Sequence, residues 1–310
     1  MFSSRTYPST FRSLLPTDVK PELLKPDNDL RVKCQCGAFS FAVRTAASTP
    51  PLRCHCVRCR KFHASAFATL LSLPRAPDGL LDDSRLRKYE SPCDGLGKPL
   101  SRLFCGNCRS VLGATSGDDF YLALGCVEDE SIPPPLALSY QTRYESLSAD
   151  QSAVWWTAKP SNQGRPTAPP RVLRGSCACG KCAFEAPSGS EFQTQHCYCN
   201  LCRRLSGTVG QTWVPVRPTG WRWTRDETLK LIRTTGHGSR HMCEECGTTL
   251  TIVYDSQPDC LWPVAGVIDD DSLPKDMESA LCRSIHICCS MMQPWYKIPD
   301  DDLPRLKYAG

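Results

Sequence analysis

One cysteine pattern occurs twice in the chain, and this repeat constrains the fold more than any other feature of the sequence. The repeated motifs, first copy before second, are C-x-C-G from Cys34 and Cys177, C-x-C-x-x-C from Cys54 and Cys197, and C-x-x-C from Cys105 and Cys243. The first two recur at 177 − 34 = 143 residues and the third at 243 − 105 = 138, so the second copy is five residues shorter before its last motif. Seven cysteines that match in order predict two tandem copies of one domain.

Composition places the boundaries of these copies. Residues 1–30 show no strong periodicity and are interpreted as an N-terminal arm. We expect copy one at residues 31–156 and copy two at residues 171–310, each long enough for its own core. The segment 157–170 between them contains the polar, proline-rich run SNQGRPTAPP and is predicted to be a linker.

The apolar runs of both copies have the length of β-strands. Phe67–Leu73, Gly210–Val216 and Thr249–Tyr254 are examples, and the chain's 26 prolines and 20 glycines favour turns between such runs. The sequence therefore predicts a mainly β fold in both copies.

Charge and hydropathy argue against two classes of partner. The formal net charge is only +5, and we find no stripe of lysines and arginines with interleaved aromatic residues, so we expect no nucleic-acid partner. We also expect no membrane partner, because no run of about 18 apolar residues exists. An odd count of 21 cysteines without a secretory signal predicts free thiols in the cytoplasm.

The first and last motifs of each copy supply four thiols, the usual number for a structural zinc site. We expect one such site to clip distant strands together in each copy. The predicted ligands are Cys34, Cys36, Cys105 and Cys108 in copy one, and Cys177, Cys179, Cys243 and Cys246 in copy two.

The middle motif supplies three thiols rather than four. They are Cys54, Cys56 and Cys59 in copy one, and Cys197, Cys199 and Cys202 in copy two. Three protein ligands with an open fourth position are typical of a catalytic zinc, and a soft sulfur atom suits that position. We therefore expect at most two zinc ions per domain, the outer one held more tightly.

Two alternatives for the three-thiol motif stay open. It is a second structural site if a distant ligand completes it, with Cys93 as the candidate in copy one and His241, Cys260 or Cys288 in copy two. It is a redox centre if the thiols hold no metal. Basic pairs follow the motif, Arg60-Lys61 and Arg203-Arg204, and could offset its charge or hold a substrate carboxylate.

At these residues the chain resembles the glutathione-dependent formaldehyde-activating enzymes and their centromere protein V-like relatives. The shared pattern is G-x-C-x-C-G, then C-H-C-x-x-C-R, then R-x-F-C-x-x-C-G. Copy two departs at Tyr198, where the family has histidine, and copy one departs at Ala64 and Arg109, where copy two has Gly207 and Gly247.

The resemblance implies two tandem zinc-bound β-tent-like domains. It also implies condensation of formaldehyde with glutathione to S-(hydroxymethyl)glutathione, a carbon–sulfur lyase-type activity. The partners would be a small thiol such as glutathione and an aldehyde. Because the departures concentrate in copy one, we expect Cys197, Cys199 and Cys202 to be the catalytic set. A zinc-stabilised protein-interaction module without turnover is the alternative.

Overall fold

A computed structural model of the chain describes residues 29–44, 51–93, 98–128, 141–143, 172–187, 194–272, 284–293, 296, 298 and 302–309. The predicted linker at 157–170 lies outside these residues, as does the predicted arm except for Asp29 and Leu30, which belong to the first strand. The same holds for the C-terminal part of predicted copy one, beyond Arg143.

Copy one contains nine strands and one short α-helix among its described residues. In chain order they are β1 (Asp29–Lys33), β2 (Ser40–Arg44), β3 (Leu52–Cys54), α1 (Val57–His63), β4 (Ala68–Leu73), β5 (Leu86–Cys93), β6 (Lys98–Cys105), β7 (Val111–Ser116), β8 (Asp119–Ala123) and β9 (Gln141–Arg143). A 3₁₀ turn, Leu124–Cys126, follows β8.

Copy two repeats this order with one additional strand. Its elements are β10 (Val172–Ser176), β11 (Cys182–Pro187), β12 (Gln195–Cys197), α2 (Asn200–Ser206), β13 (Gln211–Trp213), β14 (Arg222–Asp226), β15 (Leu229–Thr235), β16 (Gly238–Cys243), β17 (Thr249–Tyr254), β18 (Trp262–Pro263) and β19 (Ile285–Ile287). The 3₁₀ turn Ala265–Val267 occupies the place of the turn after β8.

The strand pairing shows that the two copies share one topology. In copy one β3 pairs in parallel with β9, and in copy two β12 pairs in parallel with β19. The antiparallel series β5-β6-β7-β8 of copy one corresponds to β15-β16-β17-β18 of copy two. The prediction of a mainly β chain with two tandem domains is therefore confirmed. No helix in the described part of the chain has the length and apolar character needed to cross a membrane.

The two domains dock through reciprocal contacts. The helix of each copy packs against the 3₁₀ turn of the other, α1 on Ala265–Val267 and α2 on Leu124–Cys126. A glycine in each turn permits the approach. A Cβ added at Gly266 would lie 2.3 Å from the Ser65 nitrogen, and one at Gly125 would lie 2.3 Å from the Thr208 nitrogen.

Buried polar groups are paired across this interface. The Gly125 amide donates to the Gly207 carbonyl at 3.0 Å, and the hydroxyls of Thr69 and Thr208 are 2.9 Å apart. His63 Nδ1 lies 2.7 Å from the Ser206 carbonyl oxygen, and burial lowers the pKa of His63 to about 3, so the ring is neutral and donates. Such pairing gives the buried interface a defined register.

The cores of the two domains also merge. Tyr296 and Ile298, near the C-terminus of copy two, belong to the same buried apolar cluster as Phe67, Leu71 and Leu122 of copy one. We therefore expect each copy to depend on the other for part of its stability, since separation would expose this apolar surface to water.

The close approach at the 3₁₀ turns gives a first prediction. Gly266→Ala should lower the free energy of unfolding by roughly 1–3 kcal/mol, because the added methyl overlaps backbone atoms of the opposite domain. Gly236→Ala is the matched control, since nothing lies within 4 Å of its Cβ position. Thermal melting of both variants tests this, and equal midpoints would show that the domains do not dock as described.

Candidate functional site

The outer cysteines come together in each copy. The groups whose sulfurs all lie within 4.8 Å of one another include Cys34, Cys36, Cys105 and Cys108 in copy one, and Cys177, Cys179, Cys243 and Cys246 in copy two. Each group joins the turn after the first strand to the turn between two later strands, β6 and β7 or β16 and β17. The structure thus brings together all eight predicted outer ligands.

Sulfur separations within the outer groups suit a tetrahedral metal. With Zn–S bonds of about 2.3 Å, the sulfurs of a tetrahedral site lie about 3.8 Å apart. The distances are 3.6 Å for Cys34–Cys36, 3.7 Å for Cys36–Cys105 and 3.6 Å for Cys179–Cys243. A disulfide would need about 2.05 Å, and the cysteines of these groups are free thiols.

The inner group of copy one contains four sulfurs rather than three. Cys93, at the end of β5, joins Cys54, Cys56 and Cys59, and all four residues are buried. The Cys93 sulfur lies 3.8 Å from that of Cys54 and 3.6 Å from that of Cys59. The interpretation of this motif as an open three-ligand site is therefore wrong for the geometry of copy one, because a residue 34 positions downstream occupies the fourth corner.

The inner group of copy two has three sulfurs in mutual reach, those of Cys197, Cys199 and Cys202. Cys199 is partly exposed, whereas every member of the copy one group is buried. The thiol of Cys288 interacts with those of Cys197 and Cys199 but does not belong to the mutually close set. His241 and Cys260 are also outside it: His241 Nδ1 contacts the Thr251 hydroxyl, and the Cys260 sulfur contacts the Leu261 carbonyl.

The middle thiol of each inner group begins a helix. Cys56 is the N-cap of α1 and accepts from the Cys59 amide at 3.4 Å, and Cys199 is the N-cap of α2 and accepts from the Cys202 amide at 3.4 Å. Hydrogen bonds from the other thiols, that of Cys197 first, hold the pKa of Cys199 far below its usual range. A C-x-x-C spacing at a helix start therefore places two sulfurs on one side and favours a thiolate.

A buried arginine beside each inner group was not expected from the sequence. Arg102 donates to the Cys59 sulfur through both terminal nitrogens at 3.5 Å, and Arg240 donates to the Cys202 sulfur at 3.5 Å. Both side chains are 1% exposed. A buried guanidinium is stabilised by an anionic partner, and the sulfur of Cys59 or Cys202 would fill that role as a metal-bound thiolate. The sequence does carry a signal for them: each arginine stands three residues before the last cysteine motif of its copy, which begins at Cys105 or Cys243.

Three of the four basic residues after the inner motif bond to the opposite domain. Arg60 donates to both carboxylate oxygens of Asp270 in the opposite domain, at 2.6 and 2.7 Å, and Lys61 pairs with Asp269. Arg203 donates to the carbonyls of Gly125 and Val127 in copy one. The interpretation that Arg60 and Lys61 offset the site's charge or hold a substrate carboxylate is therefore wrong, because both pair with aspartates of the opposite domain.

The glycine departures in copy one also bear on the interface. Ala64 and Arg109 have φ of 48° and 65°, and the corresponding Gly207 and Gly247 have φ of 67° and 73°, so these positions are left-handed in both copies. Arg109 pairs with Glu244 of copy two at 3.8 Å. The substitutions are thus accommodated without a change of backbone conformation.

Tyr198, the departure in copy two, forms a buried contact with the last strand. Its hydroxyl lies 2.8 Å from His286 Nδ1, and His196 packs on His286 with ring centroids 4.9 Å apart. The ring of Tyr198 also belongs to the core cluster that contains Phe67 of copy one. These contacts fix β12, which leads into the inner cysteines, against β19.

Comparison with known proteins identifies the same domain in both copies. The family model described as "Glutathione-dependent formaldehyde-activating enzyme" matches residues 29–143 and 172–289, most of the chain's 310 residues. A protein of Halomonas elongata named "Putative glutathione-dependent formaldehyde-activating enzyme" is 28% identical over 148 residues, which cover 45% of this chain and 88% of that protein. A crystal structure of a Rhodobacter sphaeroides protein has 22% identity and a TM-score of 0.28, covering 34% of this chain and 94% of that one. The chain belongs to the glutathione-dependent formaldehyde-activating enzyme family and carries two tandem copies of its domain.

Proposed function

We propose that the chain is a zinc-dependent enzyme of the carbon–sulfur lyase type, acting on the adduct of glutathione and formaldehyde at the inner group of copy two. The observation that carries the proposal is the contrast between the inner groups. Copy two offers three mutually close sulfurs with Cys199 partly exposed, whereas copy one buries four. Three mutually close sulfurs leave the fourth corner of a tetrahedral site to a ligand from outside, whereas four sulfurs fill it.

The reaction needs no redox cofactor. The glutathione sulfur forms a carbon–sulfur bond to the formaldehyde carbon, the carbonyl π bond breaks, and the thiol proton ends on the former carbonyl oxygen. The addition requires no electron donor or acceptor besides the two reactants. Zinc held by Cys197, Cys199 and Cys202 would supply a Lewis-acidic position that suits a thiol sulfur.

The chain's own residues hold this site in shape. Helix α2 fixes Cys199 at its N-terminus, and Arg240 fixes Cys202 while its other terminal nitrogen donates to the Thr234 hydroxyl at 2.6 Å. Three thiolates around a bound Zn²⁺ would carry a net charge of 2 − 3 = −1, which the Arg240 guanidinium would balance. A thiolate approaches a neutral centre more readily than it approaches a negatively charged centre.

The outer groups have a separate role in this proposal. Cys34, Cys36, Cys105 and Cys108, and their counterparts in copy two, are proposed to hold structural zinc that contributes folding free energy. Free thiols throughout these groups fit a reducing compartment such as the cytoplasm. The domain boundaries at 31–156 and 171–310 remain predictions.

A second function keeps one observation in its favour. The closed inner group of copy one is what an interaction module without turnover would contain in both copies. The number of mutually close sulfurs separates the two functions, because three leave one corner of a tetrahedral site to a ligand and four do not.

Glutathione binding to the cobalt-substituted full chain tests the proposal. We expect Cys199→Ser to weaken binding at least tenfold, about 1.4 kcal/mol, as followed by visible absorption, while the thermal midpoint changes little. Cys179→Ser, in the outer group, should lower the midpoint first. Cys260→Ser is the matched control and should bind glutathione within about twofold of the unmodified chain, because the Cys260 sulfur contacts the Leu261 carbonyl and belongs to none of the thiol groups found among the described residues.

If Cys199→Ser lowers the thermal midpoint as much as Cys179→Ser does, the inner group of copy two is a folding site. The interaction module would then be the better description of the whole chain.

A further inference from the structure

The hairpin between β5 and β6 differs in length between the two copies, and the difference falls at the inner site. Strand β5 runs to Cys93, which pairs with Lys98 at the start of β6. In copy two β15 ends at Thr235, which pairs directly with Gly238. The five residues by which copy one exceeds copy two before the last motif are therefore accommodated in this hairpin.

The buried arginines establish which residues correspond. Arg102 donates to the Ser91 hydroxyl at 2.6 Å, and Arg240 donates to the Thr234 hydroxyl at 2.6 Å. Ser91 and Thr234 are thus equivalent, 143 residues apart. Two residues further on, copy one has Cys93 and copy two has Gly236, which carries no side chain.

Hydrogen bonds hold Cys93 at the inner site. Arg102 bonds Ser91 and the Pro92 carbonyl, the two residues before Cys93, and also bonds the sulfur of Cys59. Its guanidinium lies over the Phe62 ring of α1 at 5.1 Å. One buried side chain therefore joins the end of β5 to helix α1 and fixes the fourth sulfur relative to the other three.

We propose that Cys54, Cys56, Cys59 and Cys93 form a closed tetrathiolate zinc site, which makes the inner site of copy one structural. The separations of 3.6 Å for Cys54–Cys56, 3.8 Å for Cys54–Cys93 and 3.6 Å for Cys59–Cys93 match the tetrahedral spacing of about 3.8 Å. All four sulfurs are buried, so neither water nor a thiol substrate reaches the metal position.

The consequence is a division of labour within the chain. Copy one holds two structural zinc ions and serves as the docking partner of copy two, whose inner site alone accepts a ligand. The chain then contains three tightly held zinc ions and one exchangeable ion, rather than the two and two that the repeated motifs predict.

Native mass spectrometry of the zinc-loaded full chain tests this inference. After exposure to a chelator, we expect three zinc ions to remain on the unmodified chain and two on Cys93→Ser. Cys260→Ser is the matched control and should retain three, because its sulfur contacts backbone groups and belongs to none of the thiol groups found among the described residues. Cys93→His, which offers zinc a nitrogen ligand, should restore the third ion.

The count on the unmodified chain can overturn the inference even if Cys93→Ser fails to fold, and Cys93→His shows which site holds the third ion. Two retained zinc ions there, or three retained on a folded Cys93→Ser, would overturn the inference. The proposed enzyme activity of copy two does not depend on this count, so the two proposals fail separately.

Discussion

Cys243→Ser should abolish folding of copy two and release its outer zinc. The Cys243 sulfur is fully buried and lies 3.6 Å from that of Cys179 and 3.1 Å from the Thr228 hydroxyl. Structural zinc sites of this kind contribute apparent binding free energies of about 10–16 kcal/mol at neutral pH. Loss of one of four ligands forfeits a large part of that energy, which exceeds the stability of most domains.

The measurement combines zinc content with circular dichroism on the full chain. Cys260→Ser is the control, because it removes a partly exposed thiol that belongs to no cysteine group in the described part of the chain. A soluble, folded Cys243→Ser chain with undiminished zinc would show that the outer group holds no structural metal.

Arg240→Met should lower the free energy of unfolding by about 3–5 kcal/mol, the cost of breaking a buried ion pair from one side. The Arg240 side chain is 1% exposed, and its nitrogens bond the Cys202 sulfur and the Thr234 hydroxyl. Methionine fills much of the same volume but leaves the Cys202 sulfur, which would be a thiolate on zinc, without its charged donor. Zinc at the inner site of copy two should also dissociate faster.

Arg233→Met is the control for charge and side-chain length. Arg233 lies on the neighbouring strand, pairs with Asp255 at the surface and is 49% exposed, so its loss should cost no more than about 1 kcal/mol. Chemical denaturation of both variants checks the difference. Equal losses would mean that Arg240 is not the charge partner of the inner group.

The cysteine groups were predictable because metal geometry restricts spacing. A C-x-C or C-x-x-C motif must place its sulfurs about 4 Å apart to share one metal, and the repeat presents each motif twice. The fold class followed from short apolar runs between prolines and glycines. Both features depend on local sequence. The structure confirmed the fold class and brought the outer cysteines together.

The fourth sulfur of copy one could be named only as one candidate. Its place depends on a hairpin that returns Cys93 to helix α1, and no local pattern in the sequence fixes that register. The roles of Arg60 and Lys61 were mistaken for a similar reason, since Asp269 and Asp270 are more than 200 residues away in sequence. Tertiary contacts of this kind decide which charged residues face a site.

The most direct test of the proposed function measures the rate at which glutathione and formaldehyde form their adduct. Exchange NMR on the zinc-loaded full chain should show acceleration over the uncatalysed reaction, lost in Cys199→Ser and retained in Cys260→Ser. A full rate in a folded Cys199→Ser chain, or no acceleration by the unmodified chain, would contradict the assignment of copy two's inner cysteines as the catalytic centre.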